Sequence, residues 1–193
     1  MRRVGKAKHQ RVCPFWVGYF LASPIRALFH DPDGILAPHV SSGMHVLDVG
    51  SAMGFFSLPL ARLVGPGGRV ICVDVQEKML RGLKRRARRA NLAERIETRV
   101  CDPDSLRVAD LASKIDFVLA FAVVHEIGDK ARFFKEVAGV LKSGCRLLFA
   151  EPRGHVSKAA FEESLRLAKE NGLEEAASAQ IARSRAAVLE RVR

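Results

Sequence analysis

Residues 46 to 54 read Val-Leu-Asp-Val-Gly-Ser-Ala-Met-Gly, and the fold follows from how this stretch is parsed. Val46, Leu47 and Val49 surround Asp48 as a short buried strand, entered from His45 and a turn at Ser42-Gly43. Gly50, Ala52 and Gly54 then supply a run of small residues. Phe55, Phe56, Leu60, Ala61 and Val64 follow with helical spacing. A strand, a tight turn and a helix N-terminus open a nucleotide-binding β-α-β unit, where backbone N–H groups approach a ligand closely. A dinucleotide fingerprint spaces its glycines as G-x-G-x-x-G. Here the spacing is Asp48-x-Gly50-x-Ala52-x-Gly54, with an acid inside the strand.

Outward from this unit, Arg69 to Asp74 is a second strand, apolar as a parallel strand covered on both faces should be. Its closing acid lies twenty residues after Gly54, where a carboxylate can accept both hydroxyls of a ribose. Met79, Leu80, Leu83, Ala87 and Ala90 repeat with a helical period, arginines on the outer side. Ile96–Val100 and Ile115–Phe121 are further strands, running into Cys101-Asp102-Pro103 and Ala122-Val-Val-His-Glu126. A helix carrying Phe133, Phe134, Val137, Val140 and Leu141 stops at Ser143-Gly144, and Cys145 to Ala150 forms strand five. Pro59 belongs near the first turn of a helix starting at Phe55, since it has no N–H to donate. The β-α-β-α alternation makes the class α/β.

The Asp48–Gly54 pattern resembles motif I of the class I, Rossmann-like methyltransferases that use S-adenosyl-L-methionine, acid-x-Gly-x-Gly-x-Gly, with Ala52 at the middle glycine. The acid suits the ammonium of a methionine moiety and would repel a pyrophosphate. The resemblance covers roughly residues 40 to 193 and implies a doubly wound, seven-stranded sheet closed by a C-terminal antiparallel hairpin. It also implies that Asp48, Gly50, Ser51, Gly54, Ala120 and Phe121 meet the methionine part. Asp74, Val75 and Gln76 would hold ribose, and Cys101 with Asp102 would flank adenine. The implied reaction is direct transfer of the sulfonium methyl to a nucleophile. Glu174 to Val192 has helical propensity, yet the resemblance asks for strands six and seven there, turning near Ala182-Arg183-Ser184. Ser157 to Asn171 precedes them as a capped amphipathic helix.

With 193 residues, 48% hydrophobic and 27% charged, the chain accommodates one α/β domain at 41–193. Before it stand a basic tail at 1–12 and, by the same resemblance, a helical lid at 13–40. The lid contains the only Trp and Tyr, a short helix over Pro24–His30, and a second helix capped by Asp31-Pro32. The basic start and the apolar run Val12–Ala22 mimic a secretory leader, but Phe20 and Pro14 oppose that reading, and the run is too short to span a bilayer. Four cysteines without C-x-x-C spacing indicate neither a zinc site nor a disulfide framework, hence reduced thiols and an intracellular setting. No metal is expected.

Net charge is +11, concentrated in the first eleven residues and in Lys78, Arg81, Lys84, Arg85, Arg86, Arg88 and Arg89. This field attracts a polyanion such as nucleic acid through the Arg81–Arg89 face, or it is a solvated helix face. The expected acceptor is a small molecule, which the compact chain favours; RNA or protein, favoured by the charge, is the alternative, and a non-catalytic binding module is the third reading. His125 borders the expected methyl position. It is either the general base or a packing residue before the helix that begins near Asp129.

Overall fold

The structure, a computed structural model, describes residues 31 to 192. The basic tail, the Pro24–His30 helix, and the part of the lid before residue 31 lie outside the described residues. Seven strands form one sheet: β1 His45–Val49, β2 Arg69–Asp74, β3 Ile96–Val100, β4 Ile115–Phe121, β5 Leu141–Pro152, β6 Leu173–Ser178 and β7 Ser184–Arg191. Their order is β3-β2-β1-β4-β5-β7-β6. The first five run parallel, and β7 is antiparallel to both β5 and β6. The expected hairpin therefore forms despite its helical composition. Burial of Ala187, Val188 and Leu189 of β7 against the core outweighs a propensity bias of a few tenths of a kcal/mol per residue, roughly.

Among the described residues, five α-helices cover the sheet: α1 Pro32–Leu36, α2 Ser57–Leu63, α3 Glu77–Arg89, α4 Lys130–Val140 and α5 Lys158–Glu170. Strand alternation divides the core in two. Leu47, Val49, Ile71 and Val73 face α4 and α5 with Phe134, Phe149 and Phe161. Val46, Val70 and Cys72 face α1, α2 and α3 with Leu36, Leu60 and Leu83. Phe117, Phe134 and Phe149 are fully buried, each stabilising by ~1.5–3 kcal/mol. Leu36 of α1, in the segment expected as lid, is part of this core.

Three boundaries differ from expectation. α2 begins at Ser57, after turns at 52–56, which places Pro59 as its third residue. α4 ends at Val140, and β5 takes over at Leu141 because Leu141 pairs with Ile115. The register then jumps, with Phe117 opposite Arg146, and Gly144 lies in the intervening loop-out. Ala90 is exposed as the C-cap of α3, whose buried face holds Gly82 instead.

Candidate active site

The strand order reverses between β1 and β4, and in doubly wound sheets ligands bind at such a switch point, outside the carboxyl ends of the strands. A cleft enclosing about 1010 Å³, its open mouth included, lies there. Gly50 after β1, Asp74 to Gln76 after β2, Cys101 and Asp102 after β3, and Ala122 and Val123 after β4 all line it. Met79, Leu106, Ile127 and Phe133 supply apolar wall.

The turn after β1 is held from two sides. Gly50 and Ser51 donate their N–H groups to the Val73 carbonyl at 2.9 and 3.2 Å. Ala52 N–H donates to Asp74 Oδ2 at 2.9 Å, while Asp74 Oδ1 accepts from Gln76 N–H at 2.8 Å. From α3, Arg86 donates to the Met53 carbonyl at 2.6 Å. A Cβ on Gly50, where φ is +68°, would stand 2.5 Å from Val123 Cγ2, and one on Gly54 would stand 2.3 Å from Leu83 Cδ1. Close approach of strand, turn and helix therefore requires glycine at both positions. Ala52 takes φ +46° with a side chain, and Ala122 takes φ +59°. Two left-handed non-glycine residues thus flank the cleft, where backbone strain tends to gather.

Six of the expected site residues line the cleft: Gly50, Asp74, Val75, Gln76, Cys101 and Asp102. Asp48, Ser51, Gly54, Ala120, Phe121 and His125 do not. Asp48 shares a sheet face with Val46, so its carboxylate lies beneath α2 and accepts the Ser57 hydroxyl at 2.6 Å. Phe121 packs on Phe56, ring centroids 4.6 Å apart. Ser51 Oγ is buried with no hydrogen-bond partner among the described residues. Such a hydroxyl costs ~1–3 kcal/mol until something bonds it.

Sequence reasoning missed four carboxylates, Asp104, Glu126, Asp129 and Glu136, because they come from separate loops and α4 and share no spacing. With Asp74 and Asp102 they put six acids on the cleft wall and, among the described residues, no Lys or Arg, in a chain of net charge +11. Arg107 pairs with Asp102 and Arg132 with Glu136 from outside the lining, and the other four form no ion pair among the described residues. Glu136 also accepts the Ser105 hydroxyl and the Leu106 N–H, tying the β3–β4 loop to α4. Burial raises the pKa of Asp74, opposed by its bonds from Gln76 and Ala52. Burial likewise raises Glu126, with the Asp74 and Glu151 charges adding to it and His125 and His155 opposing. Burial pushes the Cys101 thiol up to about 12, so it is no thiolate at neutral pH.

These residues suit S-adenosyl-L-methionine. Each Asp74 oxygen keeps a lone pair for a ribose hydroxyl. The apolar wall suits adenine, the acidic lining suits a sulfonium cation, and Ser51 Oγ offers an uncommitted hydroxyl beside the turn. A pyrophosphate would face four carboxylates without a counter-charge among the described residues.

Comparison with known proteins agrees. The family model described as "Methyltransferase domain" matches residues 40–187. A ubiquinone/menaquinone biosynthesis C-methyltransferase of Pasteurella multocida is 30% identical over 112 residues, covering 58% of this chain and 41% of that protein. An arsenite methyltransferase of Halobacterium salinarum is 33% identical over 112 residues, covering 58% and 28%. The chain thus spans less than half the length of both. The crystal structure of an S-adenosylmethionine-dependent methyltransferase from Aquifex aeolicus superposes with a TM-score of 0.81 at 21% identity, covering 94% of this chain and all of that one, which shows a shared fold. The chain belongs to the methyltransferase-domain family of Rossmann-like, S-adenosyl-L-methionine-dependent methyltransferases.

Proposed function

We propose that the chain transfers the methyl group of S-adenosyl-L-methionine to a small organic acceptor. The carrying observation is the acidic cleft at the β1–β4 switch point in an otherwise basic chain. It supports a cationic donor bound through Asp74 and rejection of a pyrophosphate cofactor. The donor arrives already activated, so alignment of donor and acceptor supplies most of the rate, up to ~7–11 kcal/mol of barrier. Both curated relatives carry the names of small-molecule methyltransferases. That supports a small acceptor here.

A second reading rests on α3, where Arg81, Lys84, Arg85, Arg88 and Arg89 are exposed along one helix. This face supports docking of a polyanion such as RNA. Arg86 does not belong to it, being committed to the Met53 carbonyl. No helix among the described residues is long and apolar enough to cross a membrane.

Tritium transfer from labelled S-adenosyl-L-methionine into fractionated cell extract tests both readings. Label in the small-molecule fraction is the expected result. Label in RNA or protein favours the second reading, and none at all leaves a binding module.

A further inference from the structure

A second group of titratable side chains stands beside the cleft, at the ends of β4 and β5. Glu151, only 1% exposed near the end of β5, accepts the His125 backbone N–H on Oε1 at 3.1 Å and bonds His125 Nδ1 through Oε2 at 2.6 Å. A carboxylate can only accept, so Nδ1 carries the proton and Nε2 keeps its lone pair. Nε2 makes no hydrogen bond among the described residues, and the side chain remains 23% exposed. The His155 ring, after β5, lies edge-on to it at 5.7 Å. His125 sits between Val123 and Ile127, both of which line the cleft. Glu126, its chain neighbour, lines the cleft and interacts with its charge, so the imidazole stands beside the cleft, outside the lining, on the β4–β5 side, while Asp74 and Asp102 occupy the β2–β3 side.

A buried carboxylate that grips both the backbone and one ring nitrogen of a half-exposed histidine is costly for packing alone. Filling that space with apolar atoms would serve a core better. The same arrangement fixes ring, tautomer and orientation for proton abstraction.

We propose that His125 is the general base, that Glu151 is its positioning residue, and that the acceptor is one that must lose a proton, a ring hydroxyl or an activated aromatic C–H. This rests on the methyltransferase reading above and narrows its acceptor. A lone pair of the hydroxyl oxygen, or the π pair at the activated ring carbon, forms the bond to the methyl carbon, and the O–H or C–H pair stays with the acceptor when its proton leaves. The old carbon–sulfur pair leaves with sulfur, the acceptor proton passes to Nε2, and the imidazolium returns it to solvent. An acceptor without a proton to lose, such as a thiolate-bound arsenic, would not need this pair.

The groups facing His125 set its titration. The Glu151 hydrogen bond raises its pKa most, burial opposes, the Glu151 and Glu126 charges raise it further, and Lys130 of α4 lowers it. His155 is the fourth neighbour. The neutral form, which is the base, therefore accumulates at higher pH than for an ordinary histidine, and the rate should climb there.

The test uses the full chain, wild type and Glu151→Gln, with Glu151→Asp as the charge-keeping control. The His125 ring is titrated by nitrogen-15 NMR without any donor or acceptor. Single-turnover methylation from S-adenosyl-L-methionine is then followed on 1,4-naphthohydroquinone and catechol, with glutathione-bound arsenite as the proton-free probe. Glu151→Gln should lower the His125 pKa, move the rate limb to lower pH, and cut the plateau rate on the order of 10²-fold. Melting temperature and donor affinity should hold, and Glu151→Asp should restore part of the rate. An unmoved His125 titration in Glu151→Gln overturns the proposal. So does an undiminished rate in His125→Ala, or methylation of the arsenite probe but of neither ring-hydroxylated probe. No turnover of any probe by a protein that binds the donor also overturns it. Failure to bind the donor by calorimetry sinks the methyltransferase reading instead.

Discussion

Asp74 accepts the Ala52 N–H on Oδ2 at 2.9 Å, so the acid that ends β2 also holds the turn that follows β1. The carboxylate is thus oriented before any ligand arrives, so a ribose bound to it would cost little further ordering. Asp74→Ala should weaken S-adenosyl-L-methionine binding by about 1.5–3 kcal/mol, the scale of hydrogen bonds to a charged group.

Held by the same carboxylate, the donor should bind in a pH-sensitive way. Burial raises the folded pKa of Asp74, so acid protonates it at a higher pH than an ordinary aspartate. Donor affinity should therefore fall as pH drops through that raised value. Stability has the opposite sign: the raised pKa favours the free fold at low pH, and this contribution is lost as pH rises from the unfolded pKa through the folded one. Calorimetry from pH 4.5 to 8 on wild type and Asp74→Asn checks this. A flat profile in wild type would remove Asp74 from the binding site.

Ala52 and Gly50 both take left-handed backbone, but only Gly50 is crowded. At Ala52, glycine would relieve strain and loosen the unfolded chain by similar amounts. Ala52→Gly should change stability by less than about 1 kcal/mol. Gly50→Ala adds a Cβ 2.5 Å from Val123 Cγ2 at φ +68°, and should cost ~2–4 kcal/mol through combined backbone strain and overpacking. Urea denaturation of the two variants distinguishes a merely left-handed position from a crowded one.

Arginines of α3 divide by role. Arg86 is half-buried on the Met53 carbonyl, and burial lowers its pKa. Arg86→Ala should cost ~1–3 kcal/mol and weaken donor binding by loosening the turn. Arg85, Arg88 and Arg89 are exposed, so replacing all three by Glu should leave donor binding intact. If RNA docks on α3, the triple variant abolishes retention that otherwise falls steeply with salt. Weak, salt-independent retention returns the charge to a solvated face.

Periodicity and spacing made the sheet, the turn and the two strand-end acids legible, because each is written within a few residues of one strand. Spacing marks Asp74 and the family resemblance marks Cys101 and Asp102, and all three line the cleft. Asp48 stands outside the cleft lining because strand parity turns its side chain toward α2, where it accepts the Ser57 hydroxyl. The four further acids of the cleft were invisible because Asp104, Glu126, Asp129 and Glu136 converge only after β3, β4 and α4 are assembled. Arg86 read as one more surface arginine until the Met53 carbonyl faced it.

That converging charge leads to the last expectation. S-adenosyl-L-methionine carries one positive charge more than its demethylated product, so the ratio of their affinities measures how far the cleft favours a cation. At an effective dielectric near 20, a carboxylate several ångströms away contributes on the order of 1–2 kcal/mol before screening. Glu126 lines the cleft without an ion pair among the described residues. Glu126→Gln should therefore narrow the preference for the sulfonium by about 3–10-fold, leaving affinity for the neutral product nearly unchanged. Because burial raises Glu126, its share of the wild-type preference should fade as pH falls through that raised value, and the variant should lack that share of the pH dependence. Asp74 titrates in both proteins and cancels in the comparison. Parallel calorimetry of donor and product settles it: an equal loss of affinity for both would make Glu126 a shape residue rather than a source of field.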